Sequence, residues 1–77
     1  MPKLPVITSK RLIQIIKVLG FQLDHTTGSH FVFYHSITKR RAVVPRHNKD
    51  LPKGTIKNII GEAGITKEEI VQAIKKK

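Results

Sequence analysis

Cysteine is absent from this sequence, which excludes a disulfide framework and a thiolate metal site. Acidic residues are also scarce, with five Asp and Glu against fifteen Lys and Arg. Paired-carboxylate chemistry needs two acids in one cleft, which so few acids make a poor fit. A Ser-centred triad needs a buried carboxylate to orient its His, and only Asp24 and Asp50 lie at hand. No apolar run approaches the roughly 18 residues that span a bilayer. The opening Met1-Pro2-Lys3-Leu4-Pro5 lacks the apolar stretch of a signal peptide, so a cytoplasmic protein with no membrane partner is expected. Neither a G-x-x-x-x-G-K-S/T loop nor a G-x-G-x-x-G turn is present, so a nucleotide-phosphate fold is not indicated. Large side chains are few, three Phe and one Tyr. The core of so short a chain is a modest one.

What is present is positive charge. The 77 residues carry a formal net charge of +10, a field that concentrates polyanions and repels basic partners. Nucleic acid, an anionic membrane or an acidic protein would each satisfy it. Lys39, Arg40, Arg41, Arg46, Lys49, Lys53 and Lys57 fall in one middle stretch opposed only by Asp50. A merely solvated face would interleave acids among such bases. The terminal Lys75-Lys76-Lys77 reads as a solubilising tail.

Regular apolar spacing argues against a disordered basic tail. Leu12, Ile15, Ile16 and Leu19 recur at helical spacing, which predicts a helix over Thr8–Leu19, capped by Thr8 or Ser9 and ended by Gly20. Phe21–Thr26 alternates as a strand, with Phe21, Leu23 and His25 on one side. Thr27-Gly28-Ser29 reads as a turn in which Gly28 supplies positive φ. The next predicted strand, Phe31–His35, puts Phe31 and Phe33 on one face and His30, Val32 and Tyr34 on the other. A turn at Ser36–Lys39 leads to a third strand, Arg40–Val44, stopped by Pro45. Pro52 opens a helix striped by Ile56, Ile59, Ile60 and Ala63 and ended by Gly64. Gly61 within that stripe suggests close packing. Thr66-Lys67-Glu68-Glu69 is a capping box for a short last helix carrying Ile70, Val71 and Ile74. The expected fold is α+β, a single two-layer α-β-β-β-α domain over residues 1–77. Its three-stranded antiparallel sheet is covered by helices on one face.

Four histidines, His25, His30, His35 and His47, are the candidate chemistry. Too few other ligand types accompany them to complete a zinc sphere. Cleavage of an RNA phosphodiester needs little more than a basic surface and a histidine, because the substrate supplies its own 2′-OH nucleophile. Imidazole moves a proton, while Arg, Lys and backbone N–H groups stabilise the phosphorane charge. That route needs no metal or other cofactor. Composition does not select among the four histidines. Gly28 and Ser29 beside His30 favour it modestly, through close backbone approach and a hydroxyl that donates to phosphate.

The run Thr27-Gly28-Ser29-His30-Phe31-Val32-Phe33 resembles the HicA (YcfA-like) family. So do the opening Met-Pro-Lys-Leu-Pro-Val, the helix end Leu19-Gly20-Phe21, Val44-Pro45-Arg46-His47, Pro52-Lys53-Gly54-Thr55-Ile56 and Ala63-Gly64-Ile65. The resemblance covers nearly the whole chain in order. It implies an endoribonuclease (mRNA interferase) toxin of a type II toxin–antitoxin system, with a fold like the double-stranded RNA-binding domain. It further implies that His30 is the single catalytic histidine and that a HicB-type antitoxin covers the site. Gly28 and Ser29 carry over as motif positions. Arg46 and His47 match a second motif, as substrate-binding residues or as supports of the loop before the helix, and Lys49 and Lys53 extend the basic surface expected to hold RNA. The free protein is expected to be a monomer. Ile37 departs from the family pattern as an apolar residue in a hairpin turn. The competing reading is a non-catalytic basic RNA-binding module; a third is a structural partner of an acidic protein.

Overall fold

A computed structural model describes residues 7–46 and 50–75. The order is α1 (Ser9–Val18), β1 (Gln22–Thr26), β2 (His30–Tyr34), β3 (Arg41–Pro45), α2 (Lys53–Ala63) and α3 (Lys67–Lys75). The strands form one antiparallel sheet in the order β1-β2-β3. This is the α+β arrangement that the sequence predicts, with helices on one face of a meander.

Helix α1 has only 10 residues, too few to persist alone in water, so its stability comes from its buried face. Leu12, Ile15 and Ile16 are fully or nearly fully buried. Thr8 is its cap, accepting from the Arg11 amide at 3.1 Å. At the other end Gly20, at φ +101°, closes a Schellman pair: Gly20 N–H donates to Lys17 O at 3.1 Å and Phe21 N–H to Ile16 O at 3.0 Å. Helix α2 ends the same way on Gly64 (φ +72°), with Ile65 N–H donating to Ile60 O at 2.9 Å. The capping box opening α3 is complete. Thr66 N–H donates to Glu69 Oε1 at 2.9 Å, and Glu69 N–H to Thr66 Oγ1 at 3.1 Å.

The core lies between the helices and one sheet face. Phe33, Ala42 and Val44 meet Leu12, Ile16 and Ile56 there, with Phe31 packed at the margin. Val32 is also buried, yet it is not part of that cluster. It sits on the opposite face, flanked in register by His25 and Val43.

Several local expectations are corrected. A β-bulge interrupts β1 between Leu23 and His25. The extra residue reverses the alternation beyond it, so Leu23 and His25 lie on opposite faces rather than together. As an exposed edge strand, β1 buries none of its residues. Pro45 stops β3 as its last residue, one position later than predicted, paired with His30 as an edge strand tolerates. Gly28 is not in the left-handed region; the turn residue that is, Lys39 (φ +63°), lies in the second hairpin. A Cβ at Gly61 would meet nothing within 4 Å, so no close packing explains that glycine. Ile37, in the turn between β2 and β3, is an exposed apolar side chain at 83%.

Candidate active site

The turn between β1 and β2 is fixed from both sides. Thr27 N–H donates to His30 O at 2.8 Å. The Thr27 hydroxyl accepts from His30 N–H at 3.0 Å and donates to His30 O at 3.3 Å. Beyond the end of β3, Arg46 N–H donates to Ser29 O at 2.8 Å, extending the ladder past the His30–Pro45 pair. Helix α1 anchors the same corner, because the buried Ser9 hydroxyl donates to Pro45 O at 2.6 Å. An exposed tight turn thereby inherits the rigidity of two strands and a helix.

His30 stands exposed at the start of β2. Its Nδ1 lies 3.0 Å from Ser29 Oγ. That hydrogen bond couples the tautomer of the ring to the serine hydroxyl and leaves Nε2 as the nitrogen that can face a substrate.

The surroundings of the other histidines differ. His35 Nδ1 accepts from the amides of Ile37 and Thr38, each at 3.2 Å, which holds the second hairpin turn. Its ring packs edge-on against Phe21, centroids 5.1 Å apart. His35 is therefore a structural residue. His25 Nδ1 lies 2.8 Å from Asp24 Oδ2, both side chains about half exposed at 53% and 55%. His47 lies outside the described residues, as does Lys49. Among the described residues no group of three or more His, Cys, Asp or Glu is placed to hold a metal ion.

The middle basic stretch is divided by the fold. The Arg46 backbone is bonded to Ser29 beside His30, but its guanidinium stands over Phe31 on the helix side of the sheet. Arg41 pairs with Tyr34 at the other end of the hairpin, about 13 Å along the strand. Arg40 lies over Gly64 at the C-terminus of α2, a favourable place for a cation at the negative end of a helix. Lys53 is exposed as the first residue of α2. Gly28, Ser29 and His30 thus come together at the turn, which Arg46 joins through its backbone with its side chain on the other face of the sheet.

Other contributors are marked by no motif. The Arg46 guanidinium stands over the Phe31 ring, 5.0 Å from its centroid. The pair closes one end of an open groove of about 470 Å³ whose other wall is α1, through Lys10, Ile13, Gln14 and Lys17. Lys10, Gln14 and Lys17 share one helix face, so helical periodicity groups them, but only the packed structure sets that face beside Arg46. The groove carries three cations and no acid among its lining residues.

Among the described residues no helix is long and apolar enough to cross a membrane. No curated protein matches the chain. The family described as HicA toxin of bacterial toxin-antitoxin matches residues 9–65, a span that includes the first helix, the whole sheet, the Gly28-Ser29-His30 turn and the second helix. The chain belongs to the HicA toxin family of bacterial toxin–antitoxin systems.

Proposed function

We propose that this toxin is an endoribonuclease that blocks translation by cleaving mRNA, with His30 as its catalytic residue. The observation that carries the reading is the exposed His30 ring, held through Nδ1 by Ser29 on a rigid turn. In the reaction the RNA 2′-OH attacks the adjacent phosphorus as His30 Nε2 takes its proton. The 2′-O–P bond forms and the P–O5′ bond breaks, giving a 2′,3′-cyclic phosphate and, as O5′ takes up a proton, a 5′-OH end. Donors of the basic surface around the turn offset charge on the phosphorane. Gly28, Ser29, His47, Lys49 and Lys53 complete the RNA-binding surface. The groove along α1 receives the strand beyond the scissile phosphate, with Lys10 and Lys17 facing its phosphates and the Phe31–Arg46 pair offering a base a stacking surface.

As a toxin of a toxin–antitoxin system the chain has a cognate antitoxin. We assign that role to a HicB-type protein that covers His30 with acidic groups complementary to this basic face.

The test is incubation of purified protein with unstructured RNA in excess chelator, beside DNA of the same sequence. RNA cut to cyclic-phosphate ends with DNA untouched is the expected result. His30→Ala should lower cleavage about 10²–10⁴-fold and abolish growth inhibition, with folding and RNA affinity largely retained. RNA that is bound but left intact would establish a non-catalytic RNA-binding module instead, and a His30→Ala protein as toxic as the parent would remove His30 from the mechanism.

A further inference from the structure

In-line cleavage of RNA moves two protons, one off the 2′-OH and one onto the departing O5′, and His30 alone can serve only one of them at a time. The described residues within reach of His30 contain one further imidazole that no structural duty occupies. His25 pairs with Val32 across β1 and β2. Val32 is two residues from His30 on the same strand, so the three side chains share one face of the sheet. Residues in that diagonal relation have Cα atoms about 7–8 Å apart, room for a phosphate between two imidazole rings. The β-bulge at Asp24 creates this arrangement: with unbroken alternation His25 would lie on the helix side with Leu23. The bulge also leaves Asp24 able to hold the ring, its Oδ2 2.8 Å from His25 Nδ1. No helix covers this face, and the His25 side chain is 53% exposed.

We propose that this chain departs from the single catalytic histidine that its family resemblance implies, with His25 as a second proton-transfer group, the general acid opposite His30 as general base. This rests on the ribonuclease reading above. His30 Nε2 takes the 2′-hydroxyl proton as the 2′-oxygen bonds to phosphorus. Protonated His25 gives its Nε2 proton to O5′ as the P–O5′ bond breaks. Asp24 orients the ring and compensates its charge while it carries the proton, the role a carboxylate plays toward a catalytic imidazole. His25 leaves the step neutral and His30 protonated; both reset by exchange with water, and no redox partner is involved.

The deciding experiment compares two substrates of one sequence, ordinary RNA and RNA with sulfur in place of the bridging 5′-oxygen at the cleavage site. A thiolate departs without protonation, so its release needs no general acid. His25→Ala should cut ordinary RNA about 10²-fold more slowly or worse yet cut the sulfur-bridged RNA close to the wild-type rate. His30→Ala should be slow on both. Asp24→Asn should show a smaller defect of the same pattern as His25→Ala. Every residue altered is exposed, and circular dichroism checks that the variants fold. His25→Ala acting like wild type on ordinary RNA would overturn the proposal while leaving the ribonuclease reading intact. An equal loss on both substrates would also overturn it, showing that His25 binds RNA rather than delivers a proton. Wild-type protein that cleaves neither substrate would overturn the ribonuclease reading and this pair together.

Discussion

The hydroxyl oxygen of Ser29 lies 3.0 Å from Nδ1 of His30, and the carbonyl of the same serine accepts the amide of Arg46 at 2.8 Å. One residue therefore links the imidazole to the backbone that follows β3. A single hydrogen bond of this kind contributes about 0.5–1.5 kcal/mol. Ser29→Ala should therefore lower RNA cleavage about tenfold or less, with unchanged thermal stability and near-parental affinity for an uncleavable 2′-O-methyl RNA. Ser29→Thr keeps the hydroxyl and should retain most of the activity. A Ser29→Ala protein with parental turnover would show that the contact does not prepare His30.

Two glycines that look alike in sequence should respond oppositely to alanine. Gly20 sits at φ +101°, and a Cβ there would come 2.7 Å from His35 Nε2. Gly20→Ala is expected to cost about 1–2 kcal/mol for the backbone alone, more if His35 is displaced. Gly28 lacks positive φ, and a Cβ there meets nothing within 4 Å. Gly28→Ala should stay within about 0.5 kcal/mol of the parent in urea denaturation. A loss of RNA cleavage in that stable variant would then report close approach of the RNA backbone at the turn.

The reciprocal cap at Thr66 and Glu69 is a local device with a measurable value. Thr66→Ala should destabilise the protein by about 1 kcal/mol, while Thr66→Ser leaves it close to the parent. Equal denaturation midpoints for all three proteins would mean that α3 does not take part in the cooperative unit.

Salt dependence tests the cationic groove along α1. Log affinity for single-stranded RNA should fall linearly with log salt, and each lost phosphate contact should reduce the slope by about 0.7. The double variant Lys10→Ala/Lys17→Ala, altered at exposed positions of α1, should bind more weakly and with a shallower slope. An unchanged slope would place the RNA elsewhere on the surface.

Local chemistry explains which parts of this protein are legible from its residue order. Leu12, Ile15 and Ile16 announce a helix because 3.6-residue periodicity is a property of the segment itself. Gly20, Gly64 and the Thr66–Glu69 box mark helix ends because caps are made by neighbours in sequence. The charge of +10 belongs to composition, and the Gly28-Ser29-His30 run carries the family resemblance without help from the fold. Tertiary structure decided the rest, because it depends on pairing between distant strands and on packing. A one-residue bulge in β1 turned His25 from the helix side to the face of His30, which no alternation rule could foresee. Backbone amides of a hairpin engaged His35, and packing of α1 against the end of β3 brought Lys10 and Lys17 to Arg46. Sequence alone determined a basic α+β domain with histidines to spare. Strand register and helix packing, which act over long chain separations, separated the structural His35 from the exposed His25 and His30.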